Sequence, residues 1–165
     1  MLPAVVTVTP AVDADRAALG RLFQLYWHDL SELRGSMPDR DGVLVAGRFE
    51  ERLATPGLVT YVIESDGRLA GFAMVRPHEG RHLMAEFFVV RAVRRRGVGA
   101  AAARAVLTRT PGPWSIPFQE ENSGAARFWR ALAAEVAADV VEERRPVPGK
   151  PHIPPDVWLF LTVSG

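Results

Sequence analysis

The sequence predicts an α/β (α+β) fold in which about six or seven strands are interspersed with helices. Three observations predict it. Runs rich in β-formers alternate with runs of helical periodicity, in the order β-α-α-β-β-β-α-β-α-β-β. The composition, 48% apolar and 24% charged, is that of a globular chain able to bury a core. No repeat, linker or low-complexity tract interrupts it, so residues 1–165 are expected to form a single domain.

Each element has a local cause. Val5 to Thr9 reads as a first strand ending at Pro10. Asp13 or Asp15 then caps a helix whose Leu19, Leu22, Phe23, Tyr26 and Leu30 recur every three to four residues, so one of its faces is core. Gly35 to Gly42 is a polar loop, and Val43 to Ala54 is expected to hold a short second helix broken by Thr55-Pro56-Gly57. Leu58 to Glu64 and Leu69 to Arg76 flank Ser65-Asp66-Gly67, a tight-hairpin signal. A turn at Pro77 to Gly80 leads into a strand from Leu83 to Arg91. Trp114 to Phe118 reads as a short strand, Ser123 to Ala134 as a helix, and Val136 to Glu142 with Val157 to Val163 as a closing pair around the proline-rich loop Arg144 to Pro155.

Chemistry concentrates in Arg94-Arg95-Arg96-Gly97-Val98-Gly99-Ala100, between the apolar run Phe87 to Val90 and the alanine-rich run Ala101 to Leu107. The first amides of a helix have no intrahelical acceptor and lie at the positive end of its dipole, so a phosphate takes several of them at once. Gly97 and Gly99 have no Cβ to hold such a ligand off. The turn is not the dinucleotide fingerprint, because Ala102 stands at the third glycine position and no acidic residue follows about twenty positions on. Nor is it the phosphate loop of nucleotide hydrolases, which needs Gly-Lys-Ser or Gly-Lys-Thr, because Lys150 is the only lysine.

This segment resembles motif A of the GNAT superfamily of N-acetyltransferases, Arg/Gln-x-x-Gly-x-Gly/Ala, with Arg94, Gly97 and Gly99 at its fixed positions. Downstream, Asn122-Ser123-Gly124-Ala125-Ala126-Arg127-Phe128-Trp129 is similar to the family's Asn-x-x-Ala-x-x-Phe-aromatic segment. The resemblance implies a GNAT-like, mostly antiparallel mixed sheet whose central fourth and fifth strands splay apart. It also implies acetyl-CoA as co-substrate, its pyrophosphate on Arg94, Arg95, Arg96, Gly97, Val98, Gly99 and Ala100, and its pantetheine arm on the backbone of Glu86 to Val90 with Val89 as the main contact. Diverging strands leave peptide groups unpaired, and a peptide-like ligand can satisfy them. Asn122 either bonds the coenzyme or caps its helix. Arg91, Arg94, Arg95 and Arg96 either bind coenzyme phosphates or form a solvated face.

The implied activity is transfer of an acetyl group from acetyl-CoA to a primary amine of a small molecule or peptide, and it needs a group to take the ammonium proton. Glu86, the only acid inside the predicted fourth strand, is the candidate base; apolar neighbours Ala85 and Phe87 would raise its pKa toward the working pH. His78, Glu79 and His82 in the preceding turn are alternatives. Where many relatives carry a tyrosine that returns a proton to the departing thiolate stands Trp129, whose indole N–H donates a hydrogen bond but no proton. Tyr26, Tyr61, water or unassisted departure are left for that step. In this fold the first helix covers the open side of the splayed strands, so Tyr26, Trp27 and Asp29 are candidate substrate-binding residues, and Asp29, Glu32 and Asp39 favour a cationic amine.

A net charge of +1 gives no general drive toward nucleic acid or anionic membrane, and the absence of cysteine excludes disulfides and thiolate metal sites. No metal site is predicted. No run approaches the length of a membrane span, and the expected location is the cytoplasm. The expected partners are acetyl-CoA and an amine, without nucleic acid or membrane, and homodimerisation is left open. A non-catalytic acyl-CoA-binding sensor or interaction domain stays as the alternative.

Overall fold

The predicted mixed sheet is present with seven strands in the computed structural model, which describes residues 2–165. In chain order the elements are β1 (Val6–Pro10), α1 (Arg16–Arg34), α2 (Arg48–Leu53), β2 (Val59–Ser65), β3 (Arg68–His78), β4 (Arg81–Val89), α3 (Val98–Arg109), β5 (Gly112–Phe118), α4 (Ser123–Val136), β6 (Val140–Arg145) and β7 (Asp156–Val163). The strands lie in the order β1-β2-β3-β4-β5-β7-β6, antiparallel throughout except for the parallel pair β4 and β5.

Two apolar layers fix the helices to the sheet. On one face Leu19, Leu22 and Phe23 of α1 and Phe49 of α2 pack on Val62, Phe72, Met74 and Phe88. On the other, Val98, Ala102, Ala103, Val106 and Leu107 of α3 and Ala126, Trp129, Leu132 and Ala133 of α4 pack on the remaining inward residues of the strands. The small residues of α3 let its backbone come close to the sheet. β3 and β4 also approach closely: a Cβ on Gly71 would stand 2.0 Å from the Phe88 carbonyl oxygen.

β4 and β5 pair only at His82 with Trp114 and Leu83 with Ser115, then part, while β5 is held along its whole length by β7. The expected splay is therefore present, opening toward the C-terminal ends of both strands. A bulge sits beside it. Met74 pairs with Glu86 and Val75 with Met84, so Ala85 is an extra residue on β4, and Leu83 faces the same side as Glu86 although three positions separate them.

Several boundaries shift by a residue or two, β3 running through Pro77 and His78 into the expected turn, and three further differences bear on the site. α2 begins at Arg48 rather than Val43, because Val45 and Gly47 hold left-handed angles (φ 45° and 79°) that no helix continues through. α4 runs on to Val136, closed by Ala137 N–H on Ala133 O, so the strand expected from Val136 starts at Val140 and takes in Arg144 and Arg145. β4 ends at Val89, and the chain makes a 3-10 turn at Arg91–Val93 before the glycine loop.

Candidate active site

Three segments meet where the sheet splits: the C-terminal half of β4, the turn into α3, and the α1–α2 layer above them. Gly97 takes a left-handed conformation (φ 79°) at the start of α3, and nothing stands within 4 Å of where its Cβ would be. No side chain caps this helix. Ala101 N–H is the first to reach a helical acceptor, Gly97 O at 3.0 Å, so the amides of Val98, Gly99 and Ala100 have none among the described residues. That cradle fits a pyrophosphate. Beside it, Val90 N–H bonds Ala70 O on β3 at 2.8 Å, so strand alternation turns the peptide groups of Phe87 and Val89 to the opposite, open edge.

The arginines divide. Arg95 and Arg96 are exposed on the loop, Arg95 in a left-handed conformation (φ 60°). Arg94 is engaged by protein: its Nε donates to Val89 O at 2.8 Å, and its terminal nitrogen bonds Asp29 on α1. Arg91 donates to Asp29 as well, at 2.7 Å. Burial presses the Asp29 carboxyl upward, but the hydrogen bonds from Arg94 and Arg91 overcome it and hold its pKa below the usual carboxylate value. Asp29, expected at the substrate, and Arg94 and Val89, expected at the coenzyme, are thus linked to one another in this structure. Asn122 is likewise engaged, capping α4 by accepting from Ala125 N–H at 3.3 Å.

Glu86 lies 5% exposed with Arg52 Nε on its Oε1 at 2.8 Å and the Tyr26 hydroxyl on its Oε2 at 2.5 Å. The expectation of apolar surroundings is corrected: the carboxylate sits between a phenol from α1 and a guanidinium from α2. For Tyr26, burial and then the adjacent Glu86 charge raise the phenol well above its ordinary pKa, against the weaker pull of Arg52 and Arg34, so it stays protonated. Tyr61 lies in the core on the α3 face under Arg109, away from Glu86. Trp27 packs on Phe23 beneath the Arg48 guanidinium, and its buried indole N–H has no partner among the described residues. Trp129 is buried edge-on against Phe87 and Phe128, on the α3–α4 side of the sheet.

Glu79 pairs with Arg145 at 3.0 Å, His78 stacks near Trp158 and His82 near Trp114, so none of these alternatives adjoins Glu86. Asp39 accepts from the amides of Asp41 and Val43 in its own loop, and Glu32 is exposed on α1. Sequence reasoning missed Arg34, Arg52 and Arg76. A signal was there: each continues an apolar stripe, Arg34 after Tyr26 and Leu30, Arg52 after Phe49, and Arg76 after Phe72 and Met74. Among the described residues no cluster of three or more His, Asp or Glu is arranged to hold a metal ion.

Residues 19–133 match the model of the Acetyltransferase (GNAT) family. The chain belongs to the GNAT family. Its members are acetyl-CoA-dependent acetyltransferases, and the amide cradle and open strand edge suit that coenzyme. Among curated proteins it is 30% identical over 141 residues to a mycothiol acetyltransferase of Nocardia farcinica, covering 81% of this chain and 46% of that one. The chain spans less than half the length of the curated relatives it matches. The GNAT fold is shared with the structure of a histone acetyltransferase HPA2 and related acetyltransferase from Corynebacterium glutamicum (15% identity, TM-score 0.70, 99% and 98% of the two chains). It is also shared with a putative streptothricin acetyltransferase from Bacillus anthracis in complex with acetyl coenzyme A (16% identity, TM-score 0.53, 70% and 68%). No helix among the described residues is long and apolar enough to cross a membrane.

Proposed function

We propose that this chain, folded as one acetyltransferase domain, moves an acetyl group from acetyl-CoA to a primary amine of a small molecule or peptide. The observation that carries the reading is the splay of β4 from β5 beyond Leu83 and Ser115, opening between the uncapped start of α3 and the buried Glu86. The amides of Val98, Gly99 and Ala100 hold the pyrophosphate, Arg95 and Arg96 add charge, and the open edge of β4 at Phe87 and Val89 receives the pantetheine amides.

Acetyl-CoA supplies a thioester whose carbonyl carbon bonds the amine nitrogen as its C–S bond breaks and the sulfur leaves as thiolate. Glu86 takes the proton of the acceptor ammonium, directly or through one water. Its two oxygens offer more lone pairs than Tyr26 and Arg52 occupy, so a further donor can be accepted. Tyr26 stays protonated and donates to Glu86, but its raised pKa makes it a weaker acid than a free phenol, so the thiolate leaves unassisted or takes its proton from water. Tyr26 and Trp27 wall the acceptor side from α1.

Calorimetric titration with acetyl-CoA, followed by thiol release across a panel of amines, tests the reading. Binding with amine-dependent thiol release supports it. Binding without release for any amine would favour the acyl-CoA sensor, and no binding would sink both.

A further inference from the structure

The side chains around Glu86 carry more positive than negative charge. Arg34, Arg52 and Arg76 reach this face from α1, α2 and β3. Arg52 is matched by Glu86 at 2.8 Å and Arg34 by Asp156 at 3.3 Å. Arg76 makes one hydrogen bond, from a terminal nitrogen to the carbonyl of the adjacent Pro77 at 3.3 Å, and has no carboxylate partner among the described residues. Register fixes where it is: Arg76 stands opposite Leu83, and Leu83 opposite Ser115, the last pair before the strands part. Met74, two residues back on the same face of β3, stands opposite Glu86. Arg76 and Glu86 are thus separated by about 7 Å along the sheet, within the reach of an arginine side chain. Burial and then the like charge of Arg52 weaken the hold of Arg76 on its proton, and Glu86 offsets only part of this.

We infer that the acceptor carries an anionic group, a carboxylate or a phosphate ester, a few bonds from its amine, and that Arg76 receives it beside Arg52. The inference rests on the reading of this site as amine-acetylating. It reverses the cationic acceptor expected from Asp29, Glu32 and Asp39, which the structure engages elsewhere or leaves on the surface. A half-buried guanidinium without a counter-charge gains most from an oxyanion that pairs with its two-pronged edge. An amine with such a group enters with its ammonium toward Glu86 and its anion toward the apex of the splay.

Calorimetry with product-like probes tests this without turnover. N-acetyl amino acids are compared with their own amides, and N-acetylphosphoethanolamine with N-acetylethanolamine, each with and without coenzyme A. At least one anionic probe is expected to bind tenfold or more tightly than its neutral twin, with the gap closed in Arg76→Met and partly kept in Arg76→Lys. Arg76→Gln replaces Arg76→Met if that variant melts early. A gap in the amino acid pairs identifies a carboxylate, and one in the ethanolamine pair a phosphate. Equal binding within every pair, no binding of any probe, or a gap that survives loss of Arg76 overturns the inference. Protein that discriminates the probes but acetylates no amine would sink the proposed function and leave anion recognition standing.

Discussion

Tyr26 on α1 and Glu86 on β4, 60 residues apart in the chain, are joined by a 2.5 Å hydrogen bond in which the phenol donates and the carboxylate accepts. The other carboxylate oxygen takes Arg52 Nε from α2. One buried acid therefore ties both helices of this face to the strand that lines the splay, so its replacement bears on chemistry and on stability together.

Glu86→Gln keeps the volume and one acceptor oxygen while removing basicity. Turnover is expected to fall by about 10² to 10⁴-fold while coenzyme affinity holds. Arg52 loses its counter-charge, so some stability goes as well. A thermal melt alongside the rate separates the two, since a purely structural Glu86 would cost activity only in proportion to unfolded protein.

Tyr26→Phe gives a pH signature. The folded phenol has a raised pKa, so its contribution is fully present below the unfolded value of about 10 and is lost as pH rises through the folded value. The stability gap between the parent protein and Tyr26→Phe is expected to be about 1 to 2 kcal/mol, flat from pH 6 to about 9, and to shrink above about 10. Urea unfolding across pH measures it, and a gap that widens in alkali would contradict the burial of the phenol.

Asp29 engages both Arg91 and Arg94 at the entry to the glycine loop. Asp29→Asn is expected to tighten acetyl-CoA about fivefold, about 1 kcal/mol, by freeing two guanidiniums for phosphate. The depressed Asp29 pKa keeps the contact intact above the ordinary carboxylate value and loses it only as pH falls below that, so the gain is the same at pH 6 and pH 8. Weaker coenzyme binding in Asp29→Asn would mean that Asp29 orients Arg94 for the ligand rather than competing with it.

The element order and the glycine turn that opens α3 were legible because both are local: alternation, helical period and a glycine turn are written within a dozen residues. The partners of Glu86 were not, since Tyr26 and Arg52 reach it across 60 and 34 positions. Period-two reading also fails at Ala85, where the bulge puts Leu83 rather than Met84 on the face of Glu86. The same limit hid the Asp29–Arg94 contact, formed between segments each assigned a different ligand. What the sequence did carry, unread, was arginine at the ends of three apolar stripes.

Gly71→Ala tests the close approach of β3 to β4. Its Cβ would meet the Phe88 carbonyl oxygen at 2.0 Å, a backbone atom with no rotamer to yield, so the two strands must shift beside the site. A loss of about 3 kcal/mol is expected from overpacking of this kind, read by denaturant unfolding. A change below about 0.5 kcal/mol would mean the strands separate freely there.

Gly99→Asp tests the coenzyme cradle with little risk to the fold. A Cβ at Gly99 would lie 3.5 Å from the Phe128 ring, an ordinary contact, and an acid in the first turn of a helix is favoured by the dipole. The new carboxylate stands in the first turn of α3, among the amides of Val98, Gly99 and Ala100, where it repels a bound pyrophosphate and competes for the same donors. Acetyl-CoA affinity is expected to fall at least about tenfold, about 1.4 kcal/mol, with melting temperature held or raised. Loss of both binding and stability would say only that the turn is structural. Unchanged affinity in a stable variant would mean that the pyrophosphate is bound elsewhere, and the roles assigned to Gly97, Val98, Gly99 and Ala100 would fall with it.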